Sequence, residues 1–261
     1  MTKKYISYFF SSSAAAGAVN VASDNSSFSV NLNNPLHIPR EAKSAELSVQ
    51  QANIWNISNN ISVSLGNNVF AFTAGGVPRS ITLQDGLYSL SGLQTAISTQ
   101  LINLGLSANL FTFSGDYSTQ KSIVSISNIA DSVNFTVDNS IRTVLGFNSE
   151  VLTATVVNES FYSENIAAFN STNSYLIRSD ITLGGIPING NASGIIASVP
   201  ISVQPGSQII YQPNVLTPIM CDELIGQRKL NINFYLLNQD LVSVGTPGSP
   251  WSVVIIIKFN I

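Results

Sequence analysis

The sequence predicts a mainly β protein, an antiparallel sandwich that carries an inserted αβ- and β-rich domain. Two observations support this fold class. Polar and apolar residues alternate with a period of two along most of both end thirds of the chain, and a helical apolar period occurs only between residues 89 and 104. Many strands, few helices and long connections favour an antiparallel sandwich. Because strands fill both ends of the chain, the mixed middle segment is interpreted as an insertion.

Strands dominate the first third. Residues 27–32 and 61–65 alternate cleanly, and residues 45–55 form a longer and less regular strand. The Gly66-Asn67-Asn68 run tolerates positive φ, so it predicts a hairpin turn that returns the chain through residues 69–72.

The middle segment contains the one long helix. Between residues 89 and 104 the leucines and isoleucines recur at helical spacing on one face, where Ser89 can cap the start and Gly105 can close the end. A single helical turn over residues 140–145 is closed by Gly146 and Phe147. Strands are predicted at residues 111–113, 122–126, 133–137 and 153–157, and Ala74-Gly75-Gly76-Val77-Pro78 is interpreted as a turn.

The last third is again β. Strands are predicted at residues 174–181, 194–199, 208–212, 229–237 and 251–259, with a Pro/Gly turn at residues 246–250. At the other end, the apolar stretch of residues 5–10 breaks at once into Ser11-Ser12-Ser13 and is too short for a good signal peptide. We interpret it as a mobile or docking arm. The expected organisation is an arm at residues 1–22, a sandwich domain of residues 23–59 and 160–261, and an insertion of residues 60–159.

The composition indicates a surface that other protein covers. Only 10% of the residues are charged and 44% are hydrophobic, whereas ordinary soluble domains carry about 25% charged residues. Depletion of charge is typical of interface cores. A net charge of −3, with no Lys/Arg run, leaves little for nucleic-acid binding. The run from Val253 to Ile257 is too short for a membrane helix, so a transmembrane role is not expected.

No residue pattern predicts catalysis, a cofactor or a metal. His37 is the only histidine, lies between two prolines and lacks a nucleophile-elbow motif, so it is interpreted as a turn residue. Cys221 lacks a basic neighbour and is expected to be structural. The remaining acidic candidates are not grouped by their spacing, and they are Asp116, Asp131, Asp138, Glu159 and Glu164. The aromatic candidates are expected to point into cores, and they are Trp55, Tyr88, Phe111, Phe113 and Trp251. We therefore expect a protein that is not an enzyme, and a sandwich hydrolase is the weakest of the alternatives.

Several stretches resemble a known family. They are residues 31–39 (NLNNPLHIP), 45–57 (AELSVQQANIWNI), 81–90 (ITLQDGLYSL), 140–147 (SIRTVLGF) and 251–255 (WSVVI). Together they resemble the minor capsid, or penton, proteins of virophages and Polinton-like viruses. The most specific part is the Asp-Gly-x-Tyr-Ser segment before the helix together with the later Leu-Gly-Phe.

The resemblance implies the following expectations. The sandwich would be a single jelly roll standing perpendicular to the capsid, with five copies at each icosahedral vertex. These homopentamers would contact neighbouring capsomers of the major capsid protein, in a virion assembled inside the host cell. The family offers no catalytic residues, and its inserted domain would project outward.

An alternative function is a virion spike or fibre module that recognises a host surface glycan or protein. The insertion would carry that site, through exposed aromatic residues near Tyr117 or Phe161-Tyr162. A capsid role and a receptor role are compatible with each other.

Overall fold

Antiparallel strands make up most of the chain in the computed structural model, which describes residues 2–169, 172–190 and 194–261. The chain divides into two units. The first unit comprises Met1–Ser58 and Thr172–Ile261, and the second comprises Asn59–Ser171. The second unit is thus inserted, along the chain, between the two parts of the first.

The strands and helices have the following bounds. The first part of the first unit holds β1 (Lys3–Ser11), β2 (Ala18–Val19), β3 (Ser27–His37) and β4 (Ser44–Trp55). The second unit holds β5 (Val69–Ala74), β6 (Val77–Thr82), α1 (Leu90–Asn103), β7 (Phe111–Asp116), β8 (Lys121–Ile126), β9 (Ser132–Asn134), α2 (Arg142–Leu145), β10 (Val151–Thr153) and β11 (Glu159–Tyr162). The first unit then resumes with β12 (Ser174–Ser179), β13 (Ile195–Pro200), β14 (Gln208–Tyr211), β15 (Ile219–Met220), β16 (Arg228–Leu237) and β17 (Ser252–Asn260).

The first unit contains two antiparallel sheets that share one core. The first sheet has the order β1-β17-β4-β14, with β15 beside β4, and the second has the order β13-β12-β16-β3-β2. The ring of Phe10 on β1 lies 4.9 Å from that of Phe234 on β16, and Phe28 on β3 lies 5.1 Å from Trp251, which precedes β17. The two sheets therefore pack face to face, which confirms the predicted mainly β, antiparallel fold.

Strand alternation explains how the first unit buries its core. In β17, the side chains of Val253, Ile255, Ile257 and Phe259 are buried, and the residues between them are half-buried. Successive side chains of a strand point to opposite faces, so one face of the strand reaches the core. Burying each such side chain contributes roughly 1.5–3 kcal/mol.

The second unit has its own core. A four-stranded sheet of order β10-β9-β5-β6 and a three-stranded sheet of order β11-β8-β7 supply it, together with α1. Phe70 and Phe72 of β5 each meet Phe111 of β7 edge to face, with centroids 5.5 and 5.1 Å apart. Leu93, Ile97 and Leu101 of the apolar stripe of α1 are fully buried, which confirms that the stripe packs on protein, whereas Leu104 just after the helix is exposed.

The predicted helix ends are confirmed. The Ser89 hydroxyl accepts the N–H of Gly92 at 3.0 Å before α1, and Gly105 has φ +74° just after it. At the end of α2, Gly146 has φ +82° and donates its N–H to the carbonyl of Arg142. Both closures match the left-handed C-terminal glycine that the sequence predicted.

The predicted hairpin at residues 61–72 is wrong. Residues 61–65 form no strand, because local polar contacts hold their backbone: the N–H of Ser62 donates to Asn67 Oδ1 at 2.9 Å and that of Val63 to Asp85 Oδ1 at 2.9 Å. Strand β5 pairs instead with β6, through a turn at Gly75-Gly76 where both residues have positive φ. A two-residue turn of this kind matches the twist of a hairpin.

Residues 3–11 form an edge strand of the first sheet, whereas the sequence predicted that residues 1–22 are a mobile or docking arm. All nine residues of β1 pair with β17, and Ile6, Tyr8 and Phe10 alternate toward the core of the first unit. The second unit also extends beyond the predicted end at residue 159, because β11 pairs with β8. The chain predicted as strand at residues 153–157 turns after β10.

Candidate functional site

His37 and Cys221, the candidate base and the candidate nucleophile, each have a structural environment. His37 is exposed at the last position of β3, with Nδ1 2.9 Å from the carbonyl oxygen of Gln227, so it ends a strand rather than occupying a turn. Cys221 is fully buried, and burial together with the charges of Glu223, Asp222 and Glu46 raises the pKa of its thiol to about 12. A thiol in this state is a packing group and is a poor nucleophile.

Three of the carboxylates considered in the sequence accept hydrogen bonds within the second unit, and they are Asp131, Asp116 and Glu159. Asp131 is buried and accepts the N–H of Gly75 at 2.8 Å. Hydrogen bonds from Ser118 and Thr119 lower the pKa of Asp116 to about 2. Glu159 accepts the N–H of Val156 at 3.3 Å. Over residues 2–169, 172–190 and 194–261, no group of three or more His, Cys, Asp or Glu side chains is arranged to hold a metal ion.

The helices give no indication of a membrane span. Among the residues that the structure describes, none of the helices combines the length and the hydropathy needed to cross a bilayer.

The broadest candidate site is the outer face of the first sheet, which we call the apolar face. Cross-strand register places on it Tyr5 and Phe9 of β1, Val254 and Ile256 of β17, Ile210 of β14 and Met220 of β15. Tyr5 is 62% exposed, Phe9 64%, Ile210 64% and Met220 54%. Large side chains therefore stand in solvent along the whole width of this sheet.

One cross-strand row of the apolar face contains an ion pair on the two middle strands. The row runs from Tyr5 to Lys258, Glu46 and Met220 on four neighbouring strands. Lys258 Nζ lies 3.1 Å from Glu46 Oε2, and both side chains are about one-third exposed. The two charges neutralise each other, and Lys3 of β1, two residues before Tyr5, is exposed on the same face without a charge opposite it in the register.

The outer face of the second sheet differs in chemistry, and we call it the polar face. Its amides and hydroxyls bind one another: Asn231 Nδ2 donates to Asn31 Oδ1 at 2.8 Å, and Ser29 donates to Asn233 Oδ1 at 2.6 Å. Beside them the Arg178 guanidinium lies 5.8 Å from the centroid of the Tyr235 ring. This face needs no partner to satisfy its amides and hydroxyls.

In the second unit, two of the aromatic residues proposed for recognition are exposed, one on the three-stranded sheet and one in the turn between two of its strands. Tyr162 of β11 is 60% exposed and stands opposite Ile123 on the outer face, and Tyr117 is 96% exposed in the turn after β7. Phe161 packs against the core instead. Hydroxyl groups surround Tyr162, since Ser160 and Ser125 pair on the same face with their oxygens 2.7 Å apart.

The second unit also has a shallow cavity of about 340 Å³ over its four-stranded sheet. Its lining is mostly uncharged and includes one cation, and the residues are Ala71, Phe72, Thr73, Pro78, Arg79, Ser80, Asn134 and Val137. No titratable pair converges on this cavity among the described residues that line it, so it offers volume without an evident chemistry.

Sequence reasoning missed the apolar face. Tyr5 and Phe9 were assigned to an arm, and β15 was not predicted at all, so their common face could not be seen. Residues 5–10 (YISYFF) hold one serine among aromatic and aliphatic residues, so no polar–apolar period marks β1, and only their aromatic and β-branched content favours a strand. The remaining members come together only through strand register.

Similarity to known proteins is found in structure. No family model and no curated protein matches the sequence. Among solved structures, the chain is similar to a crystal structure of the mavirus penton protein, at 10% sequence identity and a TM-score of 0.49. The match covers 99% of this chain and 100% of that one. It names the same kind of protein as the resemblance found in the sequence.

Proposed function

We propose that this chain is a structural protein of an icosahedral virus capsid, a penton protein of which five copies form each vertex. The observation that carries the proposal is the order of the strands in the first unit. Eight strands form two four-stranded arrays, β1-β17-β4-β14 and β13-β12-β16-β3. This is the order expected of a jelly roll with its two Greek keys, an architecture that viral capsid domains use.

Jelly rolls also serve other functions, so the surface has to support the proposal as well. A capsid subunit needs wide neutral faces that can be covered without leaving unpaired charges. The apolar face has a self-neutralising centre, and the polar face has amides that bind one another. Both faces fit a subunit whose task is geometric contact.

A ring of five follows from one repeated contact between two different surfaces of the chain. In the capsid, each ring would be bordered by capsomers of the major capsid protein. The protein would thus be located at the vertices of virions assembled inside the host cell. It would not bind the genome specifically. Its second unit is inserted between β4 and β12, where it extends one connection of the jelly roll.

The test is the composition and location of the protein in purified particles. We expect about 60 copies per particle, because an icosahedron has about twelve vertices and each would hold about five copies. A particle map should show the first unit at the five-fold axes. Particles that lack the chain, or that carry it away from those axes, would overturn the proposal.

A second candidate function, recognition of a host glycan or protein, is favoured by Tyr162 and Tyr117. Exposed aromatic rings offer apolar faces beside polar edges, and the surrounding hydroxyls can hydrogen-bond an uncharged sugar. Binding of the full chain to a glycan array tests this function. Tyr162→Ala should remove binding, whereas Tyr235→Ala, on the polar face of the first unit, should retain it; an array without any signal argues against a glycan ligand.

A further inference from the structure

We infer that the apolar face binds a second copy of this chain, as one of the two surfaces of the contact between neighbouring subunits. The inference rests on the proposed capsid function and deepens it by naming the surface. It goes beyond that function because a penton ring could equally close through loops or sheet edges.

The first argument is exposure. Tyr5, Phe9, Ile210 and Met220 are each more than half exposed on one sheet face, with the half-buried Val254 and Ile256 between them. Single exposed apolar residues are ordinary on proteins, but contiguous apolar patches mark interaction sites. Register makes Tyr5, Phe9, Val254 and Ile256 neighbours on β1 and β17, and it places Met220 and Ile210 on the same face beyond the polar Glu46 and Asn53 of β4.

The second argument is size. Strand β17 has nine residues and so runs for about 30 Å, and four neighbouring strands spaced about 4.8 Å apart give a width of roughly 15–20 Å. The flat footprint is therefore roughly 450–600 Å², and protruding side chains add to its accessible area. A standard interface buries about 800 Å² on each partner, so one further contact beyond this face is enough to complete it.

The third argument is charge, which decides the kind of partner. The Lys258–Glu46 pair cancels on the two middle strands of the face, and the exposed Lys3 at its edge leaves too little charge for a nucleic acid or an acidic or basic peptide to gain from it. A neutral protein surface is the best match, since it leaves the ion pair intact when water is removed. This chain, with only 10% charged residues, supplies such a surface in every neighbouring copy.

The contact has to be heterologous. A ring of five cannot form if the apolar face binds the apolar face of its neighbour, because that self-matching contact stops at a dimer. One copy's apolar face therefore meets a different surface of the next copy. A subunit with a damaged apolar face keeps its other surface and still accepts an intact neighbour.

The experiment compares the full-length chain with charge variants by native mass spectrometry and sedimentation velocity over a range of concentrations. Phe9→Lys and Met220→Lys each introduce an unpaired charge on the apolar face and should weaken association at least about tenfold. Val157→Lys, at a residue 63% exposed in the second unit, is the matched control and should associate as the wild type does. Thermal unfolding of each variant shows whether it is folded.

Mixing distinguishes the two geometries. Excess Phe9→Lys added to wild type should give complexes of one wild-type and one variant subunit, although the variant alone stays monomeric. If the Phe9→Lys and Met220→Lys variants associate as well as wild type, this face is not the interface, but the capsid proposal still stands. Wild type that stays monomeric at every concentration overturns the inference itself, and the location of the chain in particles then decides the capsid proposal separately.

Discussion

Gly146 and Asn165 pack backbone against backbone in the second unit. The carbonyl of Gly146 accepts the N–H of Asn165 at 2.9 Å, and a Cβ on Gly146 would meet the carbonyl oxygen of Asn165. Because Gly146 also has φ +82°, this position excludes a side chain for two separate reasons. The contact joins the end of α2 to the chain that follows β11.

Gly146→Ala should therefore destabilise the protein by more than about 2 kcal/mol, the sum of left-handed strain and a backbone clash. Gly105→Ala is the control, since Gly105 has φ +74° but open space around its Cβ position, and it should cost only about 1 kcal/mol. Urea unfolding of the full chain measures both variants. Equal losses would show that the Asn165 contact is not limiting.

Ser89 should contribute a cap to α1. Its hydroxyl accepts the Gly92 N–H, so Ser89→Ala should lower the free energy of unfolding by about 1 kcal/mol. Ser89→Asp keeps an acceptor at the same position and should retain most of the stability. If the alanine and aspartate variants unfold alike in a denaturant titration, the cap hydrogen bond is not the source.

Acidic pH should favour the folded second unit through Glu150. Burial raises the pKa of Glu150, and the charge of Glu164 and a hydrogen bond between the two carboxyl groups raise it further. The folded chain then binds more protons than the unfolded chain above a pH of about 4.3, so stability should fall as pH rises through the raised pKa.

Glu150→Gln stays neutral and should remove that part of the slope. The difference in unfolding free energy between this variant and wild type should therefore grow in favour of the variant from acidic toward neutral pH. Denaturant titrations at several pH values measure it, and Glu164→Gln should act in the same direction. A difference in unfolding free energy that is constant with pH would contradict a raised pKa of Glu150.

Cys221 should be unreactive in the native protein. With a pKa of about 12 and full burial, only roughly one thiol in ten thousand is ionised at pH 8. A thiol-specific chromogenic reagent should label one cysteine per chain only as the protein unfolds in urea. Rapid labelling without denaturant would mean that the thiol is accessible from the surface.

The Lys258–Glu46 pair should matter more for assembly than for folding. In the isolated subunit it is partly exposed, so Glu46→Gln should change stability by less than about 1 kcal/mol. On the covered apolar face the same change leaves Lys258 unpaired, so association should weaken clearly. The double variant Glu46→Gln/Lys258→Met removes the unpaired charge and should recover association; equal association of all three chains would place the pair outside the interface.

Local signals determined those parts of the fold whose contacts lie close together in the chain. The helical apolar stripe, Ser89 and Gly105 specified α1, and Gly146 specified the end of α2, since caps depend on residues three or four positions apart. Alternation similarly located the first half of β3 and most of β16. The low charge content indicated a covered surface before any geometry was known.

Only the tertiary structure decided which residues share a face. Residues 61–65 alternate as a strand does, yet Asn67 and Asp85 hydrogen-bond their backbone and no partner strand pairs with them. Tyr5 and Met220 are more than 200 positions apart in the sequence, and they share a cross-strand row because β1, β17, β4 and β15 pair in one register. Register depends on the pairing of distant segments, and a shift by one residue would turn these side chains to the opposite face. The low charge content of the sequence therefore predicts a surface covered by other protein, whereas only the fold shows which surface is available for it.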